Sequence, residues 1–250
     1  QMSKTLGKEV DDFIWNLRWR GHEIIKSRVA KYGINCDLKH GHLHAAMKPV
    51  HMEELQASYD EAMRRGMGDE VTLLDAQGVR NHLQSDLYCG AIKNTRNMHL
   101  HPLNLCIGEA RAAESLGALI FEHSEVLDII HGDKPAVVTA HGRIDAKQVL
   151  LAGDVYHKLE RKKLKGMIFP AMGGIVTTKP LGDLAKELNP QDLAVYDCRF
   201  VLDYYRMTAD GRLLFGGGAN YSGRDSRDIA GELLPCIERT FPALKGVQID

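Results

Sequence analysis

The sequence predicts a fold that combines α-helices and β-strands, α+β or α/β, around a mixed sheet. Residues 7–31 place apolar side chains at helical spacing and leave a charged opposite face, as in an amphipathic helix packed on a core. Residues 118–154 instead hold short apolar runs separated by turn residues, as in a series of strands. The last run, Val149–Ala152, is apolar throughout and ends at Gly153. We therefore expect it to form a strand buried on both faces.

The other elements follow from the same periodicities and from turn residues. Helices are predicted over Met52–Gly66, from the N-cap residue Asp75 onward, from Pro102 to about Leu116, and over Asp225–Phe241. Strands are predicted over Cys36–Met47, Gly90–Asn94 and Ile168–Lys179, and over a hairpin of Phe200–Met207 and Leu213–Gly217. No repeating strand–helix unit, such as that of a barrel, is evident in this order.

Composition excludes several functional classes. With 250 residues and 44% hydrophobic content, the chain can form one large or two small domains with a sizeable core. A net charge of −1 gives no general attraction to nucleic acid or to an anionic membrane, and the apolar runs are too short to span one. The five cysteines form no C-x-x-C pair. Their odd number favours reduced thiols and a cytoplasmic location.

Several motifs, in order along the chain, resemble one protein family. The segment 118–154 is similar to the returning half of the FAD-binding domain in D-amino-acid-oxidase-like flavoproteins. The segments His101–Leu105 (HPLNL), Leu202–Gly218 (LDYYRMTADGRLLFGGG) and Thr240–Leu244 (TFPAL) extend the resemblance over nearly the whole chain. Within the family, the longest of these motifs is closest to the enzymes that oxidise gamma-glutamylputrescine.

The resemblance implies a domain organisation. A mixed-sheet substrate domain is expected together with the returning half of a Rossmann-like FAD-binding domain. The implied division is a helical segment over 1–35, substrate domain over 36–100 and 157–250, and the FAD-binding portion over 101–156. No G-x-G-x-x-G motif occurs in these 250 residues. The chain is therefore expected to be the interior of a longer flavoenzyme, with its flanking segments in the same polypeptide.

The resemblance also implies an activity. Such enzymes remove a hydride from a carbon that bears an amine and transfer it to FAD, which carries the difficult chemistry. The expected substrate is a small amine or amino acid similar to gamma-glutamylputrescine. The expected site is a partly aromatic pocket with few polar groups, and no catalytic residue is assigned. The chain alone is expected to bind FAD poorly and to be inactive.

Individual site residues follow from matching positions in the family. Val126 is expected on the adenine side of FAD, and Ala152 and Gly153 at a turn where the backbone passes the dinucleotide. The predicted substrate pocket draws on two segments, and its candidate residues are His42, His44, Tyr205 and Arg206. Because side chains alternate along a strand, Tyr205 and Arg206 are expected on opposite faces, so that only one of them can contact substrate.

Two other classes of function remain open. His40, His42 and His44 share one face if their segment is a strand, and His99 and His101 repeat the same spacing. Imidazoles in this pattern can bind zinc, which would indicate a metal-dependent hydrolase. Such enzymes usually add carboxylate ligands and a strand–helix barrel, so no metal is assigned. A non-catalytic fragment or binding module is the other alternative.

Overall fold

The structure, a computed structural model, describes residues 5–164, 166–167, 169–222, 224 and 226–250. The chain divides into two compact units. The larger unit contains the described residues up to Ala112 together with residues 173–219 and 226–250. The smaller unit contains the described residues of 113–172 and of 220–225. The division expected from the family, with an FAD-binding portion at 101–156, stays a prediction.

Helices and strands alternate irregularly along the chain. The helices are α1 (Lys8–Tyr32), α2 (Pro49–Arg64), α3 (Ala76–Arg80), α4 (Pro102–Ser115), α5 (Arg161–Leu164), α6 (Asp183–Leu188) and α7 (Ile229–Thr240). The strands are β1 (Lys39–Ala46), β2 (Val71–Asp75), β3 (Gly90–His99), β4 (Val126–Ile130), β5 (Ala136–Thr139), β6 (Arg143–Asp145), β7 (Met172–Thr177), β8 (Ala194–Asp197), β9 (Tyr204–Met207) and β10 (Leu213–Asn220). None of the helices in the described part of the chain combines the length and the apolar character that a membrane span needs.

The larger unit is built on a seven-stranded mixed sheet. Its strand order is β2-β3-β1-β8-β9-β10-β7. Strand β1 pairs antiparallel with β3 and parallel with β8, and β8, β9 and β10 form an antiparallel run. The expected mixed sheet is therefore present, and the parallel contact between β1 and β8 joins strands that are far apart in the sequence.

The main core lies on one face of this sheet. Leu43, Val195, Tyr205 and Phe215 all point to it from neighbouring strands, and they pack with buried residues of α7 such as Ile237. Because successive side chains of a strand point to opposite faces, the residues between them form the other face of the sheet. Helices α1 and α2 contribute a second, smaller cluster that includes Trp19 and Leu55.

The smaller unit contains the antiparallel meander β4–β5–β6. The expected strand at Val149–Ala152 is absent from it, and this prediction was wrong. These residues have no regular structure, and Leu150 is 89% exposed. A strand is stable only when neighbouring strands satisfy its backbone hydrogen bonds, and no described strand pairs with this run.

Local signals located several other elements correctly. Helix α1 occupies nearly the predicted range, and Asp75 caps α3 by accepting a hydrogen bond from the Gly78 nitrogen at 2.7 Å. Strands β9 and β10 form the predicted hairpin. The first strand of the hairpin begins later than expected because residues 198–203 form a loop, in which Phe200 is 96% exposed. The predicted end residues Ile168 and Asp225 lie outside the described residues.

Candidate functional site

Four aromatic rings lie on the sheet face opposite the main core. His42 and His44 belong to β1, Tyr196 to β8 and Tyr204 to β9. The register places His44 opposite Tyr196, and Tyr196 opposite Tyr204, so three rings form a row across three strands. All four side chains are half-buried. We call this set the ring face.

Stacking joins three of the four rings of the ring face. The His44 and Tyr196 ring centroids are 4.4 Å apart, and the His42 and Tyr196 centroids are 5.4 Å apart with only 12° between the ring planes. Tyr196 therefore contacts both histidines. Such contacts add stability beyond the burial of area and limit the motion of each ring.

An irregularity in β3 fixes the orientation of His42. The register between β1 and β3 shifts, because His40 pairs with Met98 and His42 with Asn94. The Asn97 side chain reaches His42, with 2.8 Å between its Nδ2 and the ring Nδ1. An amide nitrogen can only donate, so Nδ1 accepts this hydrogen bond and the ring proton is on Nε2. Irregularities of this kind re-aim side chains near functional sites.

Both histidines are neutral near pH 7. Burial lowers the pKa of His42 from its ordinary value of 6.5 to about 4, and the charges of His44, Arg18 and His22 act in the same direction. Burial also lowers the pKa of His44. The Cys198 Sγ lies 3.2 Å from His44 Nε2. Burial raises the pKa of this thiol to about 11, so it stays protonated and can donate to the imidazole.

Four polar atoms of the ring face remain available to a ligand. They are His42 Nε2, His44 Nδ1 and the hydroxyls of Tyr196 and Tyr204. No other described residue forms a hydrogen bond with any of these atoms, and none of the four is buried without a partner. The ring face can therefore donate hydrogen bonds from neutral groups, which suits a small organic molecule with few charges.

A glycine shapes the edge of the ring face. A Cβ on Gly216 would lie 2.3 Å from Tyr204 Cζ, so the Tyr204 ring can lie over the strand only because residue 216 lacks a side chain. Gly218 has a φ of +71°, and nothing lies within 4 Å of the position that its Cβ would take. The backbone at this end of β10 is therefore open to close approach.

The structure separates the four residues predicted for the substrate pocket. His42 and His44 lie together on the ring face, and Arg206 lies on the same side of the sheet, where its NH1 donates to the Met207 carbonyl at 3.1 Å. Tyr205 is on the other face, 2% exposed and stacked on Phe215 at 5.4 Å. Tyr205 is therefore a core residue, and the neighbouring Tyr204 lies on the ring face instead.

Sequence reasoning missed Tyr196 and Tyr204. The β-branched Val195 next to the aromatic Tyr196 is a composition typical of strands, and this signal could have found Tyr196. Period-two alternation implies that Tyr204 and Tyr205 point in opposite directions. It could not show which of them faces the core, because that depends on the neighbouring strands.

The predicted cofactor residues all lie in the smaller unit. Val126 begins β4, and Ala152 and Gly153 are exposed outside regular structure. A Cβ on Gly153 would lie 3.0 Å from the His157 ring, so local packing already favours glycine here.

The histidines of the two H-x-H patterns do not converge. His99 Nε2 is bonded to the Asp192 carbonyl at 2.8 Å, while His101 Nδ1 accepts from the Asn104 nitrogen. Within the residues that the structure describes, no three His, Cys, Asp or Glu side chains are placed to hold a metal ion. The metal-dependent hydrolase therefore has no support in this geometry.

Comparison with known proteins identifies the family. The profile of the DAO family, described as FAD dependent oxidoreductase, matches residues 4–250. The chain belongs to this family. The family expected from the sequence is thereby confirmed, and FAD, the expected cofactor, is the cofactor of this family.

Individual relatives extend the comparison. The chain is 39% identical over its whole length to gamma-glutamylputrescine oxidoreductase of Escherichia coli K12, and it covers 59% of that protein. It is 33% identical over 99% of its length to the probable oxidoreductase OrdL of Haemophilus influenzae, of which it covers 58%. The chain thus spans less than two thirds of the length of these curated relatives.

Solved structures share the fold. L-proline dehydrogenase from P. horikoshii superposes with a TM-score of 0.75 at 17% identity, over 92% of this chain and 63% of that one. Glycine oxidase from Geobacillus kaustophilus gives a TM-score of 0.74 at 20% identity, over 93% of this chain and 63% of that one. Together with the mixed sheet, these matches confirm the predicted fold class.

The described residues fit one end of FAD. The ring face is neutral, and the backbone at Gly218 is open, so a planar ring system and an amine can approach this side of the sheet. The pyrophosphate normally requires a glycine-rich turn that leads into a helix N-terminus. No G-x-G-x-x-G motif occurs in the sequence to provide such a turn.

Proposed function

We propose that the polypeptide containing this chain is an FAD-dependent oxidoreductase that oxidises a C–N bond of a small amine similar to gamma-glutamylputrescine. The observation that carries the proposal is the neutral ring face of His42, His44, Tyr196 and Tyr204 in a chain of this family. The 39% identity to gamma-glutamylputrescine oxidoreductase supports the choice of substrate.

The neutrality of the ring face has a chemical purpose in this proposal. Oxidation requires the substrate nitrogen with its lone pair free, and bound FAD would accept the hydride from the adjacent carbon. Imidazoles that are already neutral at pH 7 donate no proton to the amine and add no positive charge beside it. His42 Nε2–H and the Tyr204 hydroxyl can orient the substrate, and the rings exclude water from its apolar stem.

Other parts of the proposal rest on the family resemblance. Val126, Ala152 and Gly153 are proposed to lie along the adenine dinucleotide part of FAD, and residues 101–156 to belong to the FAD-binding domain. Arg206 is proposed to line the substrate pocket beyond the ring face. All five cysteines are free, which supports a cytoplasmic location for the protein.

Flavin reduction tests the proposed activity. The polypeptide containing this chain would be purified with its bound FAD and mixed without oxygen with gamma-glutamylputrescine, with glycine and with L-proline. We expect the amine to bleach the flavin absorbance and His44→Asn to slow bleaching at least tenfold. His40→Asn is the matched control, because His40 is an exposed residue of the same strand. A bound flavin that no amine reduces would contradict the proposal and favour a binding module.

A further inference from the structure

A second group of polar residues borders the ring face where α1 approaches the sheet. Arg18, Trp19 and His22 come from consecutive turns of α1, and Arg96 comes from the irregular part of β3. This group, which we call the α1 corner, adjoins His42, because Arg96 directly precedes Asn97, whose side-chain Nδ2 lies 2.8 Å from the His42 ring. The charges of Arg18 and His22 also act on that imidazole.

Arg18 is held in place without a counterion. Its guanidinium carbon lies 5.7 Å from the ring centroids of both Trp15 and Trp19. It is exposed, and no carboxylate of the described residues forms an ion pair with it. Its charge acts on both His42 and Tyr196 of the ring face. Two indole rings thus present a free guanidinium beside the candidate site.

Trp19 adds a donor that lacks an acceptor. Its side chain is only 5% exposed, and its Nε1 is buried with no hydrogen-bond partner among the described residues. An indole N–H can only donate, and buried donors are nearly always paired. The neighbouring His22, whose ring is 5.1 Å from that of Trp19, also has a buried unpartnered atom, Nδ1.

The charge balance of the α1 corner is positive. Arg96 lies over Trp19, with 4.2 Å between its guanidinium carbon and the ring centroid, and its nearest carboxylate, Glu70, is 3.6 Å away. Glu23 is already paired with Lys26 at 2.6 Å. Donors and positive charges therefore exceed acceptors, which is the composition of an anion-binding site.

We propose that Arg18, with Trp19, His22 and Arg96, forms a subsite for a carboxylate group carried by the amine substrate. This inference rests on the proposed function and specifies its substrate class. The ring face extends from Tyr204 on β9, across β8, to the histidines of β1. This distance is two strand spacings, about 10 Å. The substrate is therefore an extended amine with its carboxylate remote from the oxidised C–N bond. An α-amino acid, in which one carbon bears both groups, is too short to reach both places.

Tryptophan fluorescence tests the subsite without any turnover. Both tryptophans of the chain, Trp15 and Trp19, lie beside Arg18, so a ligand bound at the α1 corner should change their emission. We expect gamma-glutamylputrescine to change the emission saturably, and putrescine, which lacks the carboxylate, to leave it unchanged. Arg18→Gln should weaken the apparent affinity at least tenfold, and Arg18→Lys should weaken it less. Arg20→Gln, an exposed arginine elsewhere on α1, should have no effect.

Absence of a saturable change, or an equal change with putrescine, would overturn the subsite. Steady-state kinetics separate this result from a failure of the proposed function. If flavin reduction occurs, Arg18→Gln should raise KM for gamma-glutamylputrescine at least tenfold with little change in kcat. An unchanged KM in an active enzyme refutes the subsite alone. Carboxylate binding without flavin reduction refutes the proposed activity and supports the subsite.

Discussion

Acidification should destabilise the protein through His42. The folded pKa of about 4 lies below the ordinary value of 6.5, so the unfolded chain binds a proton more readily than the folded chain does. The contribution of neutral His42 to the free energy of unfolding is therefore fully present above about pH 6.5 and declines as the pH falls toward 4. For these two pKa values, linkage gives a loss of roughly 2 kcal/mol between pH 7.5 and pH 5 from this residue alone. Protonation would also break the hydrogen bond that Asn97 donates to Nδ1.

Urea unfolding at pH 7.5, 6.5, 5.5 and 5.0 measures this effect. Burial lowers the pKa of His22, His44, His82 and His99 as well, so the informative quantity is the difference between variants. His42→Asn cannot titrate, and its stability should fall about 2 kcal/mol less than that of the unmodified protein. His40→Asn should follow the unmodified protein. If His42→Asn lost stability as steeply as the unmodified protein, the burial argument would be refuted.

Two substitutions test the packing around the site. Gly216→Ala would force the Tyr204 ring away from β10 and should cost about 1–3 kcal/mol by overpacking, whereas Gly142→Ala, with open space around it, should be nearly neutral. Equal stabilities of the two variants by thermal unfolding would contradict the close approach of ring and strand. Arg199→Met would leave two buried carboxylates without the cation that bridges them, and should cost about 3–5 kcal/mol. Arg143→Met breaks an exposed ion pair with Asp145 and should cost less than about 1 kcal/mol. An equal loss of stability in Arg199→Met and Arg143→Met would show that the buried bridge contributes no more than an exposed pair.

Sequence patterns predicted the elements that depend on local signals. Helix α1 follows from the spacing of its apolar residues, and the cap at Asp75 from the ability of its carboxylate to accept a backbone hydrogen bond. The β9–β10 hairpin follows from the Asp-Gly turn, where Gly211 has a φ of +74°. Each signal acts within a few residues, so no knowledge of the remaining fold was needed.

The arrangement of the candidate site could not be predicted in this way. His44 meets Tyr196 only because β1 pairs with β8, and nothing in either segment specifies that neighbour. The choice between Tyr204 and Tyr205 depends on which sheet face the core covers. The prediction of a strand over Val149–Ala152 was wrong for the opposite reason. Its composition suits a buried strand, but a strand also requires partners, and none of the described strands pairs with it.

The parallel contact between β1 and β8 sets a limit on when the site can form. His42 pairs with Ala194, so about 150 residues must be synthesised after β1 before its partner exists. At ordinary rates of translation this takes roughly 8–30 s, during which one edge of β1 has no partner strand. Residues 113–172, which form most of the smaller unit, emerge from the ribosome within this interval. The ring face is therefore assembled late, and slow synthesis or a weakened β8 should expose β1 to aggregation before any site exists.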